Sequence, residues 1–321
     1  MPPETLDFEE PIAVLLKEIE TLEALPTTEP RNRELTSLRK RLETVRADVY
    51  AVLTPWQRVL VARHPGRPGL EGFIQRLFPG FVEIHGDRRF ADDHAMMTGF
   101  AEFHDQPVLV VGHVKGTDTK EKIFRNFGYA RPEGYRKALR VMRLAEKFRR
   151  PIMVFVDTPA AYPGIESEER GVAEAIAANL RDMMLLDTSI IVCVSGEGGS
   201  GGALGIAVGD RVLMQEFAIY SVIPPEGCAA ILWRDAAKKM EAAAALKLTA
   251  PDLLKAAIID EVIPEPIGGA HTDPDSATAM VDAVLSRALS EVAALDSETR
   301  LTLRYEKFRR MGRVGIEFIE G

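Results

Sequence analysis

The stretch that decides the fold is VSGEGGSGGA at residues 194–203. It follows an apolar run rich in valine and isoleucine, and five of the seven residues from Gly196 to Gly202 are glycine. Glycine lets the backbone turn sharply and approach a ligand closely. The small residues that follow suit the start of a helix, whose first amides have no internal acceptor. The pattern therefore predicts a strand, a glycine-rich loop and a helix start that stabilises an anion or a developing oxyanion.

Two nucleotide-binding motifs overlap this stretch only in part. Residues from Gly196 to Gly201 fit the G-x-G-x-x-G pattern of dinucleotide-binding folds, and Glu216 follows at a suitable distance. However, too few residues separate Gly201 from the next apolar run for an ordinary parallel crossover, so the spacing disfavours this alternative. The phosphate-loop motif fails, because Gly202 and Ala203 stand where lysine and serine or threonine are required.

A hydrolase motif also overlaps the stretch. Residues from Gly198 to Gly202 fit G-x-S-x-G, in which Ser200 would be the nucleophile. An acid and then a histidine should follow the serine, and the one later histidine is His271, in a loop of glycine and aspartate. Hydrolysis by Ser200 is therefore a second hypothesis. A glycine run that serves only the close packing of a helix on a sheet is the structural alternative.

Short apolar runs alternate with helical patterns on both sides of the stretch. The predicted strands cover residues 108–114, 152–157, 189–194, 211–214, 218–223 and 258–263. Helical spacing of apolar residues is clearest over Glu133–Arg149, and it returns over 168–186 and roughly 275–310. This alternation predicts an α/β fold with largely parallel strands buried on both faces. The turn DTPAAYPG, residues 157–164, then lies at the same sheet edge as the glycine-rich loop, where ligands gather.

Two amphipathic patterns lie near the start of the chain, within residues 8–53, with Pro26 and Pro30 between them. They predict a helical hairpin whose apolar stripe packs on the main domain or on another subunit. We therefore place a helical hairpin at residues 1–60 and a second domain at residues 61–321. A non-catalytic scaffold that binds a partner through these helices is a further hypothesis.

The composition is that of an ordinary globular protein. The chain has 321 residues, of which 46% are hydrophobic and 27% charged, and no apolar run reaches the length of a membrane span. The acidic first residues predict no signal peptide. Cys193 and Cys228, the two cysteines, form neither a disulfide framework nor a four-cysteine zinc site. These features predict a cytoplasmic protein with no membrane segment and no metal.

Charge is distributed unevenly along the chain. The net charge of −8 disfavours a nucleic-acid partner, yet Lys115–Arg150 carries 12 basic residues against 4 acidic ones. Such a segment predicts a site for a phosphorylated or carboxylated ligand, and a solvated basic helix face is the alternative. Lys115 and Arg125 are the candidate anion contacts in it. Phe124, Phe127 and Tyr129 are predicted to fill core, and the alternative is that they form the wall of a pocket.

Eight segments occur in a fixed order over nearly the whole chain. They are LDFEEPIA, ARHPGRP, HGDRRFADD, GHVKGTDTKEKIFRNFGYARPEGYRKALR, DTPAAYPG, GEGGSGGALGIAVGD, SVIPPEGCAAILW and IPEPIGGAH. Together they resemble the alpha-subunit family of the bacterial acetyl-coenzyme A carboxylase carboxyltransferases. The family usually has glycine where this chain has Ala160. If that glycine needs a positive φ, Ala160 is strained by about 1 kcal/mol or more, whereas a need for small size alone makes the change mild.

The resemblance implies a crotonase-like fold, a spiral of β-β-α units. It implies carboxyl transfer from carboxybiotin to acetyl-coenzyme A, giving malonyl-coenzyme A for fatty-acid synthesis. Biotin would be attached to a carrier protein rather than to this chain. The implied partners are a beta subunit in an alpha2-beta2 assembly, the biotin carboxyl carrier protein, and biotin carboxylase as the ATP-binding member of the wider complex.

The resemblance also assigns roles to the glycine-rich stretch. The amides of Gly201 and Gly202 correspond to an oxyanion hole for the biotin carbonyl, while Gly198, Gly199 and Ser200 shape the approach to it. Charge on an oxygen needs preorganised donors more than an acid–base side chain, which agrees with a stretch rich in backbone amides.

Overall fold

One eight-stranded sheet organises residues 5–312, the part of the chain that the computed structural model describes. The strands are β1 (Val82–Glu83), β2 (Met96–Phe103), β3 (Gln106–His113), β4 (Ile152–Thr158), β5 (Ile190–Gly199), β6 (Arg211–Gln215), β7 (Ile219–Ser221) and β8 (Glu261–Ile263). Their order across the sheet is β1-β2-β3-β4-β5-β6-β8, and β7 pairs with β5 outside this path.

The sheet is parallel from β3 to β8, as the alternation of strands and helices predicts. The first three strands are antiparallel, and the sequence pattern does not predict β2. Phe103 pairs with Gln106, so the hairpin turn consists only of His104 and Asp105. Both turn residues have a positive φ, 48° and 61°, which is the backbone geometry that two-residue hairpins favour.

Helices enclose the sheet from two sides. Among the described residues they are α1 (Glu10–Glu23), α2 (Glu29–Ala51), α3 (Pro55–Ala62), α4 (Leu70–Leu77), α5 (Thr119–Phe124), α6 (Pro132–Lys147), α7 (Ile165–Glu169), α8 (Val172–Met183), α9 (Ser200–Leu204), α10 (Pro225–Trp233), α11 (Lys239–Leu246), α12 (Ala250–Lys255), α13 (Pro274–Ala293) and α14 (Ser297–Arg310). No helix among residues 5–312 combines the length and apolarity needed to cross a bilayer.

Alternate residues of β4 pack in opposite layers. Val154 and Val156 belong to the core shared with α6 and α8, whereas Met153 and Phe155 belong to the core shared with α4 and α13. Because neither face meets solvent, the strand is apolar without interruption from Ile152 to Val156. This confirms the burial on both faces that the sequence predicts.

The helices α1 and α2 form the predicted hairpin. Ile12 and Leu15 of α1 share one apolar cluster with Leu38 of α2. Val61 and Phe217 complete this cluster, so part of the apolar stripe packs against the rest of the chain. The division into domains at residue 60 stays a prediction.

A buried arginine anchors α14 to the sheet. Arg304 is 1% exposed, and its guanidinium binds both carboxylate oxygens of Asp210 at 2.8 Å. It also donates to the carbonyls of Met183, Leu186 and Thr188. One side chain therefore satisfies a buried carboxylate and three backbone acceptors that would otherwise be left without partners.

Replacing Arg304 should remove most of the contacts that anchor α14 to the sheet and so destabilise the fold. We expect Arg304→Met to lower the free energy of unfolding by about 3–5 kcal/mol, because Asp210 is left buried and unpaired. Chemical denaturation of the purified chain measures the loss. Arg309→Met, on an exposed position of the same helix, is the matched control and should change stability by less than about 0.5 kcal/mol. Equal losses in the two variants would contradict the anchoring role.

Candidate active site

The glycine-rich stretch is first a strand and then a helix. β5 continues to Gly199, and its last three residues, Glu197 to Gly199, pair with β7. The helix α9 begins at Ser200, directly after the strand. The prediction of a loop between Gly196 and Gly199 is therefore wrong, although the predicted helix start is confirmed.

Two glycines are required because another backbone segment touches them. A Cβ on Gly199 would lie 1.8 Å from the carbonyl oxygen of Pro159, and a Cβ on Gly202 would lie 2.4 Å from backbone atoms of Ala160 and Ala161. The turn after β4 is thus packed directly on the β5–α9 junction. Gly201 differs, since the nearest atom to its Cβ position is Ile176 Cδ1 at 3.7 Å. A side chain at Gly201 would therefore make an ordinary contact, whereas one at Gly199 or Gly202 would clash with backbone.

Ala160 fits its position without strain. Its φ is not in the positive range, and its carbonyl accepts a hydrogen bond of 2.9 Å from the Thr158 hydroxyl. The same hydroxyl lies 2.7 Å from the Gly128 carbonyl. A small side chain at residue 160 is therefore compatible with the turn, and a positive φ is not what this position requires.

Ser200 does not contact a catalytic base within the described residues. Its φ of 52° is in the left-handed region, a strained conformation for a non-glycine residue. However, His271 stacks on His64 with ring centres 3.9 Å apart and lies 3.6 Å from Glu9. No hydrogen bond connects His271 to Ser200. The arrangement lacks the nucleophile–base contact on which hydrolysis by Ser200 depends.

A cluster of partly buried charges lies at the ends of β3, β4 and β5, and Glu197 is its most buried member. Lys115 Nζ lies 2.6 Å from Asp157 Oδ1 and 2.7 Å from Glu197 Oε2. Arg63 binds Glu197 and Glu226, each at 2.6 Å. The Glu197 amide also donates to Asp157 Oδ1 at 2.9 Å. These contacts fix the strand ends relative to one another just before α9 begins.

The pKa values in this cluster follow from its pairing. Burial disfavours the charged form of Lys115, but Asp157 and Glu197 outweigh this effect, and the pKa of Lys115 is raised. Burial likewise disfavours ionised Glu197, yet Lys115 and Arg63 hold its pKa below the usual value. Lys115 and Glu197 are therefore both charged near neutral pH.

Arg125 lies in a different contact set. It donates to Glu71 Oε1 at 2.6 Å and to the His94 carbonyl at 3.2 Å. Both predicted anion contacts, Lys115 and Arg125, thus already have carboxylate partners, and contact with an external anion stays a prediction. The expectation that Phe124 and Phe127 fill core is wrong, because they are 54% and 49% exposed.

Side chains from α6 and α8 donate hydrogen bonds to backbone carbonyls of α9 and its C-cap. The Tyr135 hydroxyl donates to the Gly202 carbonyl at 3.3 Å, and Asn179 Nδ2 donates to the Gly205 carbonyl at 2.8 Å and to the Tyr135 carbonyl at 3.0 Å. Sequence analysis did not identify these two residues. Their only signal was that a tyrosine and an asparagine lie within otherwise amphipathic helical patterns.

Asp93 fixes the start of α6. Its Oδ2 accepts a hydrogen bond of 2.7 Å from the Arg131 amide, and its Oδ1 accepts one of 3.0 Å from the Ala95 amide. Burial raises the pKa of Asp93 to about 6, although these amides and the nearby Lys137 favour the charged form. Asp93 therefore positions α6, which in turn carries Tyr135 beneath α9.

Comparison with known families identifies this arrangement. A family model described as acetyl co-enzyme A carboxylase carboxyltransferase-like matches residues 5–312. The acetyl-coenzyme A carboxylase carboxyl transferase subunit alpha of Geobacter metallireducens is 53% identical, over 96% of this chain and 97% of that protein. The chain belongs to this family. The protein of the same name from Thioalkalivibrio sulfidiphilus is 49% identical over the full length of both chains. This confirms the resemblance found in the sequence and makes the chain a carboxyl transferase subunit of acetyl-coenzyme A carboxylase.

Solved structures with a similar fold are more distant in sequence. A malonate decarboxylase hetero-tetramer from Pseudomonas has a TM-score of 0.59 at 16% identity, covering 78% of this chain and 97% of the other. The transcarboxylase 12S structure has a TM-score of 0.57 at 18% identity, covering 70% of this chain, which spans 41% of that chain. These similarities confirm the crotonase-like α/β fold.

The contact between Gly202 and residues 160–161 can be tested with a matched pair of glycines. Gly202→Ala should lower the free energy of unfolding by about 2 kcal/mol, because the new methyl group would clash with backbone atoms of Ala160 and Ala161. Gly201→Ala should leave it within about 0.5 kcal/mol of the original value, because its Cβ has ordinary contacts. Thermal and chemical denaturation measure both changes. Equal effects at the two positions would contradict the packing described.

The raised pKa of Asp93 predicts a pH dependence of stability. A carboxyl with a pKa of about 6 in the folded chain and 3.8 as a free group stabilises the fold fully at low pH. This contribution is lost as pH rises from about 4 to above 6, because the folded form holds the proton more tightly. Relative to Asp93→Asn, wild-type stability should therefore fall by about 3 kcal/mol over that interval.

The measurement is the difference in unfolding free energy between wild type and Asp93→Asn from pH 4 to pH 7. Asp105→Asn, at an exposed turn residue whose positive φ asparagine tolerates, is the control for losing one carboxylate. A pH-independent difference for Asp93→Asn, or the same trend in the control, would contradict the assignment.

Proposed function

We propose that this chain stabilises negative charge during carboxyl transfer with the backbone amides of Gly201 and Gly202. The reaction proposed is transfer of a carboxyl group from carboxybiotin on its carrier protein to acetyl-coenzyme A, giving malonyl-coenzyme A for fatty-acid synthesis. The observation that carries the proposal is the contrast between the two glycines. A Cβ on Gly202 would clash with the turn after β4, whereas a Cβ on Gly201, at the start of α9, would make only one ordinary contact.

The first turn of α9 suits an anionic oxygen. Its amides have no acceptor within the helix, and they lie at the positive end of the helix dipole. The hydrogen bonds from Tyr135 and Asn179 to the carbonyls of α9 and its C-cap keep those amides in one orientation. Preorganised donors of this kind stabilise developing charge without reorganising as it forms.

The residues around Gly201 fit a flat, uncharged ring such as the ureido ring of biotin. Gly198, Gly199, Ser200 and Ala160 line the approach in this proposal, and none of them carries a large side chain. When bound, biotin supplies the carboxyl group. This chain's part is to orient the ring and to donate hydrogen bonds to its carbonyl oxygen.

Lys115 and Arg125 complete the proposal as anion contacts. Lys115 would share its ammonium charge between an incoming anion and the carboxylates of Asp157 and Glu197. The guanidinium charge of Arg125 would likewise be shared between an incoming anion and the carboxylate of Glu71. The cluster around Lys115 also contributes by fixing the ends of β4 and β5, on which the position of α9 depends.

The proposed assembly is an alpha2-beta2 complex in the cytoplasm. The name of these relatives, subunit alpha, implies at least one other subunit. One amide site on this chain serves one oxyanion, so the thioester oxygen of acetyl-coenzyme A needs a second site, which we assign to a beta subunit. The biotin carboxyl carrier protein would bring the cofactor, and biotin carboxylase would use ATP elsewhere in the complex.

Co-expression with the beta subunit of the same host tests this function. The assay is biocytin-dependent decarboxylation of malonyl-coenzyme A, the reverse half-reaction. We expect activity only when both chains are present, because each contributes one oxyanion site. Activity from either chain alone, or failure of the two chains to associate, would overturn the proposal.

Within the active complex, Gly201→Val should reduce the rate by about 100-fold or more, the effect expected when an oxyanion site is lost. Thermal stability and assembly of the variant should stay close to wild type. Ser200→Ala is the control, and it should lose no more than a few-fold in rate, whereas a serine hydrolase would lose about 10⁴-fold. Full activity in Gly201→Val would refute the amide assignment.

A further inference from the structure

An arginine-lined cleft opens between the loop after β1 and the helices α6 and α8. Its volume is about 450 Å³, and its lining includes none of the residues from Gly196 to Gly202. Six arginines and three carboxylates line it, which gives a net charge of +3. The arginines are Arg88, Arg89, Arg136, Arg140, Arg143 and Arg181, and the carboxylates are Asp87, Glu174 and Asp182.

Two of the carboxylates, Asp87 and Asp182, form ion pairs with three of the arginines. Asp87 Oδ2 accepts from Arg136 at 2.8 Å, while its Oδ1 accepts three backbone amides of the same loop. Asp182 binds both Arg143 and Arg181. These pairs shape the wall of the cleft, and they leave neither carboxylate available to the remaining arginines.

The other three arginines lack a carboxylate partner among the described residues. Arg140 donates only to the carbonyls of His85 and Gly86. The exposed side chains of Arg88 and Arg89 make no hydrogen bond or ion pair there. Burial and then the nearby charge of Arg88 lower the pKa of Arg140, so these two cations repel each other. A fold that holds like charges together at the mouth of a cleft favours an anion between them.

We propose that this cleft binds a small phosphorylated anion. The guanidinium fork matches phosphate oxygens in bidentate fashion, which makes arginine the preferred side chain for such groups. A concave volume of about 450 Å³ is the size of a small-molecule site rather than of a flat protein interface. This binding site is additional to the proposed transfer of a carboxyl group and does not depend on it.

A buried acceptor in the lining of the cleft indicates a second functional group on the ligand. Asn179 lines the cleft and is 1% exposed, and its Oδ1 is buried without a hydrogen-bond partner within the described residues. Its Nδ2 is already used by the carbonyls of Tyr135 and Gly205. An unpaired acceptor in the lining of the same cationic cleft suits a phosphate ester that also bears a hydroxyl group, such as a sugar phosphate.

Isothermal titration of the full-length chain tests the proposal. The probes are pyrophosphate and ribose 5-phosphate at constant ionic strength, which separate recognition of phosphate alone from recognition of a hydroxylated ester. We expect saturable binding of one molecule per chain, and tighter binding per phosphate for the ester. The double variant Arg88→Asn, Arg89→Ser should weaken binding about tenfold or more, as for the loss of charged hydrogen bonds. Asparagine tolerates the positive φ of 63° at residue 88.

The matched control is Arg33→Ser, Arg41→Ser, which removes the same charge from exposed positions of α2. It should bind the probes as wild type does, and thermal denaturation should show that both double variants are folded. The proposal is overturned if no saturable binding occurs, if sulfate binds as tightly as the phosphate probes, or if the two double variants lose affinity equally.

Discussion

The close contact between the turn after β4 and the junction of β5 with α9 is the constraint on which the rest of the structure depends. Gly199 and Gly202 have no room for a Cβ, so the two segments meet backbone to backbone. This contact fixes the position at which α9 begins. The separation of these two segments is also fixed by strand pairing, by the hydrogen bonds from α6 and α8 to α9, and by the ion pairs of Lys115.

Ion pairs and hydrogen bonds both fix the position of α9 in this chain. Lys115 connects the carboxylates at the ends of β4 and β5, while Tyr135 and Asn179 hold α9 from its other side. None of these side chains needs to act as an acid or a base. The proposed site consists of backbone donors and has no reactive side chain of its own, so its precision would come from the surrounding contacts.

The parallel strands and the helix start were predicted well, because short, continuous apolar runs and a dense glycine cluster are local signals. It did not predict β2, since the turn His104-Asp105 lacks the glycine that usually marks a two-residue hairpin. The strand character of Gly196–Gly199 depends on β7, which is distant in sequence. Pairing of Lys115, and support from Tyr135, likewise depend on tertiary contacts that no local pattern encodes.

The contact between Arg304 and Asp210 has a consequence for biosynthesis. The two residues are 94 positions apart, and Asp210 also accepts the amide of Ile190 at the start of β5. At translation rates of about 5–20 residues per second, Asp210 waits roughly 5–20 s for its partner to be synthesised. During that time the central strands carry an unpaired carboxylate. The buried contacts of Asp210 are therefore completed only after Arg304 has left the ribosome.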